Sequence, residues 1–320
     1  MESATPTSEQ KQAGVRRPMI SKQLRKDLRA YLFLSPWIFS LLVFTAYPML
    51  ASFYFSMTKY TVLNPPRWIG LDNFVTMFTS DPLYWRAVGN TTYYTLISVP
   101  LGMLVALVLA ILLNQRASGI GVYRTIYYLP SLMPVVASTL LWMVLLDPRL
   151  GLVNIGLQAI GLPRVGWLNS ADWSKPGLIL MSLWTGTGTA MLIFLAGLKD
   201  VPRSLTEAAM IDGANGWQRF RHVTLPLLTP TIFFNLIMGI IASFQVFGPA
   251  YVAGDGGARQ AGPLNSLLMY MLLIYRNAFR FFEMGYASAL ALVMFIVLVL
   301  LTLVVVRSSD YWVHYEVGRR

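Results

Sequence analysis

Six stretches of this chain run about 20 apolar residues each: Tyr31–Met57, Thr91–Leu113, Tyr127–Leu146, Leu178–Leu198, Pro230–Ala250 and Tyr286–Val306. A helix rises 1.5 Å per residue, so each can cross a hydrocarbon core roughly 30 Å thick. No water reaches the backbone there, and a helix satisfies its own N–H and C=O groups. Only 12% of residues are charged, about half the usual share of a soluble domain. The expectation is an all-α membrane protein.

The polar ends set the organisation. Residues 1–29 read as a cytoplasmic tail, with the part up to about residue 21 disordered because it is rich in Ser, Thr, Pro, Gln and Lys. The first apolar stretch is too long for a signal-peptide core and lacks a small-x-small cleavage site. A spanning domain then covers 30–306, with a cytoplasmic loop over 199–229 and a cytoplasmic tail over 307–320. A seventh apolar stretch, Ser266–Ile274, is too short to span. It reads as an interfacial helix leading into the last span.

The net charge of +11 does not point to nucleic acid, because the basic residues flank apolar segments as topology charges do. Most of the 25 Lys and Arg fall on one side, among them Arg16, Arg25, Arg124, Lys199, Arg203, Arg219, Arg221 and Arg307. Positive-inside places both termini in the cytoplasm. There is no Cys, which excludes disulfides, thiolate metal sites and Cys nucleophiles. No metal or nucleophile constellation appears, and His222 and His314 lie outside the spans. The chain reads as no enzyme. The outer loops NPPRWIGLDNF, DPRLGLVN, GLPRVGWLN and GDGGARQAGP mix turn formers with Trp, Leu and Phe. They either close helix pairs or offer an ordered floor to an outside partner.

The loop between spans four and five contains EAAMIDGANGWQRFRHVTLPLLTP from Glu207 to Pro230. Pro202 suits the first turn of a helix. Leu205, Ala208, Ala209 and Met210 or Ile211 give it an apolar face, and Gly213 suits a left-handed stop. Asn215 can cap a second helix, with Gln218 closing a capping box. Trp217, Phe220 and Val223 form a stripe on that helix. Pro226 and Pro230 are expected to end it and start the next span. The reading is two short helices at an angle, with a small-residue apex. The alternative is a helix resting on lipid headgroups.

This loop resembles the EAA loop of bacterial ATP-binding-cassette importer permeases. The matching positions are Glu207, Ala208, Ala209, Asp212, Gly213, Ala214, Phe220, Leu225 and Pro226. The resemblance extends through SPWIFSLLVFTAYPM, WIGLDNF, YRTIYYLPSLMP, GLKDVPRSLTEAA and FGPAYVAGDGGA. It is nearest the carbohydrate branch, the maltose- and glycerol-3-phosphate-type permeases. The resemblance implies a six-transmembrane-helix bundle of the type I, maltose-permease-like kind, in the bacterial inner membrane. It implies partners: a second homologous permease, a cytoplasmic ATPase dimer, an extracytoplasmic solute-binding protein, a sugar, and membrane lipid. Glu207 is expected to pair with a basic residue of the ATPase. The Ala208–Ala209 face would be the contact and Gly213 the sharp turn. The chain carries no G-x-x-x-x-G-K-[ST] phosphate loop. No cofactor is expected in it, so ATP and Mg belong to the partner.

Polar and small residues within spans face the bundle interior or a cavity. Trp184, Thr185, Gly186, Thr187, Gly188 and Thr189 form such a run in span four. Gln245 sits beside Phe244 and Phe247 in span five, before the Gly248–Pro249 pair, which should break the helix. Ser131 lies between Pro130 and Pro134. Each either packs helices or lines a path; Trp184 offers a flat face to a sugar ring. By resemblance, sugar contacts fall on Ser131, Val135, Thr185, Gly186, Thr189, Phe244, Gln245 and Gly248. Ser131 and Thr189 replace aromatic partners of the maltose type, which leaves the sugar open. No Arg or Lys lies in the spans, so nothing there argues for an anionic ligand such as glycerol 3-phosphate, the alternative cargo together with other polyols. An ion-driven secondary transporter needs intramembrane Asp, Glu or Lys, and the six spans contain none.

Overall fold

The computed structural model describes residues 20–115, 117–254, 256 and 260–314. Residues 1–19 of the tail assigned to 1–29, residues 315–320 of the tail assigned to 307–320, Arg116, and Asp255 and 257–259 of the GDGGARQAGP loop lie outside the described residues. The chain divides into two units, 1–52 and 53–320.

In the first unit α1 (Ile20–Ser40) begins inside the segment assigned to the tail. It passes through a π turn at Leu41–Ala46 into α2 (Tyr47–Ser56). The π turn has a cause. Pro48 lacks an N–H and its ring would strike the carbonyl four residues back. Widening the preceding turn, with Tyr47 N–H donating to Leu42 O, carries the helix through.

In the second unit a hairpin, β1 (Thr58–Thr61) and β2 (Asn64–Trp68), pairs Thr58 with Trp68 and Lys59 with Arg67. Next come α3 (Asp72–Thr79) and the long α4 (Pro82–Leu113). Asp81 caps α4 by accepting from Leu83 N–H at 2.8 Å, with Pro82 in the first turn. Asn73 Nδ2 donates to Ser56 O and Thr58 O, which orders the WIGLDNF loop against the hairpin.

The third expected span is not straight. It is α5 (Ile120–Tyr128), a 3-10 turn Leu129–Leu132, and α6 (Val135–Leu145), bent by 100°. Pro134 pushes Met133 to ψ 138, out of the helical region. Among the described residues there are therefore five helices long and apolar enough to cross a membrane, or six if this bent pair counts as one span.

Two short loops follow, with α7 (Leu152–Ala159) between them. Asp147 Oδ1 accepts from Arg149 N–H and Leu150 N–H, both at 2.8 Å. Those backbone donors, Leu150 first, hold its carboxyl below the ordinary Asp range. Buried Asn154 donates to Val165 O and accepts from Val165 N–H and Trp167 Nε1. These loops are ordered by their own side chains.

Span four is α8 (Ser174–Asp200). The loop holds α9 (Arg203–Ile211), α10 (Gly216–Arg219), a π turn Phe220–Thr224 and α11 (Leu225–Leu227). Span five is α12 (Thr229–Phe244), and the Gly248–Pro249 pair restarts the chain as α13 (Gly248–Ala253) after a break at 245–247.

The apolar stretch near residue 270 differs from expectation. It forms α14 (Tyr270–Phe279), and Leu267, Leu268, Met269 and Leu272 are fully buried. It is a core element and not an interfacial helix. Asn90 of α4 donates to Asn265 O and Leu268 O, and Thr91 accepts from Tyr270 N–H at 2.9 Å. Thr91 thus satisfies a helix-start donor that burial would otherwise orphan, and Asn90 satisfies two carbonyls of the segment leading into it. Arg276 is buried with it, and desolvation lowers its pKa, with Arg280 adding repulsion. The last span is α15 (Met284–Trp312), which takes in residues 307–312 of the assigned tail. It opens against the hairpin: a Cβ on Gly285 would meet Tyr60 N at 3.0 Å, so only glycine allows the approach.

Candidate functional site

The loop between α8 and α12 is built by its termini. Pro202 stands just before α9 as its N-cap. At the other end Gly213 N–H donates to Met210 O and Ala214 N–H to Ala209 O. That is the Schellman pair of bonds, and it needs a left-handed residue at Gly213. Gly213 has φ +80 with nothing near its missing Cβ, so glycine is required for conformation, not for space. Asn215 then opens α10 with the expected capping box: its Oδ1 accepts from Gln218 N–H at 2.9 Å, and Gln218 Oε1 accepts from Asn215 N–H at 2.8 Å.

The expectation for Pro226 is overturned. The helix does not stop there. The π turn Phe220–Thr224 widens the backbone before the proline, with Leu225 N–H donating to Phe220 O. Helical backbone continues through Leu228 into α12. The second loop helix is therefore the base of span five, and only α9 is a separate short helix.

The expected coupling residues separate into two sets. Glu207, Ala208, Asp212 and Gly213 are exposed, and Ala209 and Ala214 half-exposed. Ala209, Asp212, Gly213 and Ala214 line an open crevice of about 390 Å³ together with Arg219 and His222, and Glu207 and Ala208 lie outside it. Beside it Ile211 is 86% and Trp217 66% exposed, an apolar tip that neither α8 nor α12 covers. Phe220 and Pro226 are half-buried. Phe220 faces the bundle, in a hollow with Ile111 and Leu198, and its ring lies 5.6 Å from that of Trp217. It anchors the loop to the ends of α4 and α8.

At membrane depth α8 stays helical through Thr185–Thr189. Thr185 and Thr187 return their hydroxyls to their own helix, at Met181 O and Leu183 O. A cavity of about 400 Å³ lies between α4, α8 and α12. Gly186 and Thr189 line it, and so do Tyr94, Ser98, Ser182 and Asn235. Sequence reasoning missed these four. The rule that singled out Gln245, a polar group within a span, applies equally to Asn235 and would have found it. The other expected path residues sit elsewhere. Ser131 donates to Tyr128 O at 2.6 Å and lies against Gly188. Val135 lies against Gly248. Trp184 meets Trp142 edge-on at 5.9 Å. Gln245 is exposed, and Phe244 lines a second cavity on the other side of α12. Among the described residues no group of three His, Asp or Glu could hold a metal.

A bundle of spans whose intervening loop projects a capped helix, next to a cavity of small and hydroxyl-bearing side chains, defines a membrane component of a transport system. The family described as "Binding-protein-dependent transport system inner membrane component" matches residues 98–314, and the chain belongs to it. It is 46% identical to a probable ABC transporter permease protein, YesP, of Bacillus subtilis (strain 168) over 92% of this chain and 95% of that one. It is 35% identical to the lactose transport system permease protein LacF of Rhizobium radiobacter, over 86% and 92%. A crystal structure of the bacterial alginate ABC transporter in complex with alginate pentasaccharide-bound periplasmic protein superposes with a TM-score of 0.78 at 27% identity, over 90% of this chain and 96% of that one. The fold is that of the type I importer permeases.

Proposed function

We propose that this chain is one permease half of an ATP-driven, binding-protein-dependent importer of a sugar or oligosaccharide. It has both termini in the cytoplasm and works beside a second, homologous permease. The observation that carries this reading is the exposed tip at Glu207–Gly213, which turns at Gly213–Asn215 straight into α10, itself continuous through α11 with α12. A load applied at the tip passes through that turn and then along one helix to the wall of the cavity lined by Gly186 and Thr189. With no phosphate loop in the chain, the load comes from a separate ATPase that carries ATP and Mg. The apolar surface of Ile211 and Trp217 fits a protein groove, with Glu207 paired to a basic residue there.

The carbohydrate assignment draws on relatives whose names specify lactose transport and on a neighbour crystallised with an alginate-bound periplasmic protein. The lining supports it: hydroxyls from Tyr94, Ser98, Ser182 and Thr189 with apolar ring-sized surface between them suit a polyhydroxyl ligand. Gln245, Gly186 and Thr189 are exposed within this chain alone. A second permease facing them would close the path.

The test is ATP hydrolysis by the reconstituted transporter with its binding protein, against a panel of mono- and oligosaccharides, glycerol 3-phosphate and amino acids. Stimulation by a sugar is expected. Stimulation only by amino acids would reject the carbohydrate reading, and only by glycerol 3-phosphate would move it to the polyol branch. Glu207→Lys and Gly213→Pro should abolish the stimulation while the chain still inserts and folds. ATPase association at the wild-type level by Gly213→Pro would reject the docking role.

A further inference from the structure

The second cavity, about 410 Å³, lies behind α12, between α4, α12 and α15. We propose that it is a binding groove for one acyl chain of a membrane phospholipid, in the leaflet remote from the coupling loop.

The first argument is chemical. Three of the groove's hydroxyls, those of Thr91, Thr95 and Tyr270, are spent on its own walls. Thr91 accepts from Tyr270 N–H at 2.9 Å, Thr95 accepts from Ser243 Oγ at 2.9 Å, and Tyr270 donates to Leu290 O at 3.0 Å. These bonds stitch α4 to α14 and α12, and α14 to α15. The open side is left to Leu96, Val99, Ile240, Phe244, Val293 and Val297. With Tyr84 and Thr92 as its remaining hydroxyl-bearing residues, a void this apolar offers water few partners.

The second argument is length. The wall from Leu236 to Phe244 covers eight steps of α12, about 12 Å at 1.5 Å per residue. The wall from Val293 to Leu301 on α15 is the same length. Half of a roughly 30 Å hydrocarbon core is about 15 Å, so the groove is one leaflet deep. Its α12 wall is the half of that helix away from Thr229, where the loop joins. All three walls are membrane spans, so hydrocarbon is the solvent at its mouth, where Leu96 is 68% exposed.

The groove also bears on the moving part. The seam between α4 and α12 separates it from the front cavity. Val99 lines both and sits 3.1 Å from where a Cβ of Gly239 would be, and one turn further the Ser243–Thr95 bond crosses. An acyl chain behind α12 therefore backs the helix that forms the front wall. It also gives Phe244 a place on the lipid side and not in the sugar path.

The test uses the full chain, alone and in the assembled transporter, in nanodiscs of phosphatidylethanolamine and phosphatidylglycerol doped with a phospholipid bearing a mid-chain diazirine. After irradiation, adducts are mapped by mass spectrometry. The expected result is labelling of Thr92, Leu96 and Val297 several times stronger than of Ile296 and Leu300, which are exposed on the same turns of α15 outside the groove. Thr92→Phe with Val297→Phe should remove the groove adducts and spare those at Ile296 and Leu300. The wild-type pattern decides the matter even where that variant fails to fold. Equal labelling inside and outside the groove would mean bulk lipid only and overturn the proposal. Groove labelling in the isolated chain that vanishes in the assembled transporter would mean that a protein segment covers the groove, which also overturns it.

Discussion

The two spans that carry the coupling loop are packed very differently. In α8, 44% of the apolar stretch is buried within the chain; in span five, Thr229–Ala253, only 11% is. The difference is visible at their glycines. A Cβ on Gly188 of α8 would lie 2.8 Å from Tyr127 O and 3.0 Å from Tyr128 Cα, both backbone. A Cβ on Gly239 of α12 would meet only the side chain of Val99, at 3.1 Å. Around α8 backbone sits on backbone. Around α12 two cavities of similar size flank a thin seam. One arm of the loop is fixed to the bundle, and the other has room. On the proposed function, a push at the tip of such a loop would displace α12 more readily than α8.

The comparison is sharpened first by Gly188→Ala against Gly239→Ala. At Gly188 backbone must shift, and overpacking of that kind costs about 1–3 kcal/mol. The apparent melting temperature of the detergent-solubilised chain should fall clearly. An unchanged value would break the contrast. Next comes Gly213→Val. Holding an L-residue left-handed costs roughly 1–2 kcal/mol, so the correctly turned tip should become about tenfold rarer. Sugar-stimulated ATPase should drop by that order, with stability of the spans unaffected. Asn215→Ala removes the capping box and should cost about 1 kcal/mol, read as faster amide exchange at Gly216–Arg219 and not in α9. The smallest effect is expected at Gly239→Ala. There the gain in helix propensity, about 0.5–1 kcal/mol, offsets the small displacement of Val99. A loss as large as that at Gly188 would mean that α12 is as tightly held as α8.

Local geometry was legible wherever one residue type dictates it. Gly213, the Asn215–Gln218 box and the Gly248–Pro249 break follow from backbone rules, and the structure has all three. The places of the spans were also readable, because hydropathy reports the medium, but their helices run past the apolar stretches, from Pro82 and not Thr91 in α4 and to Trp312 and not Val306 in α15. Proline was the weak point. Pro134 bends its span by 100°, while Pro48 and Pro226 pass through helices that widen to π turns, and nothing local distinguishes the three. Burial of α14 depends on Asn90 and Thr91, some 175 residues away in sequence. The residues that line the front cavity were half legible. Their polarity within spans marks them, but which side of α8 or α12 each faces is set by rotation against α4. That is why Gly186 and Thr189 share a cavity with Tyr94 and Asn235 while Phe244 does not.

The central claim is that the exposed tip of α9 meets a protein and not the membrane surface. The direct measurement places a photoreactive residue at Ile211 in the intact bacterial membrane and identifies the adduct. The account predicts a crosslink to a nucleotide-binding protein, lost in Gly213→Pro. Adducts to phospholipid alone would contradict it and make the loop an interfacial helix.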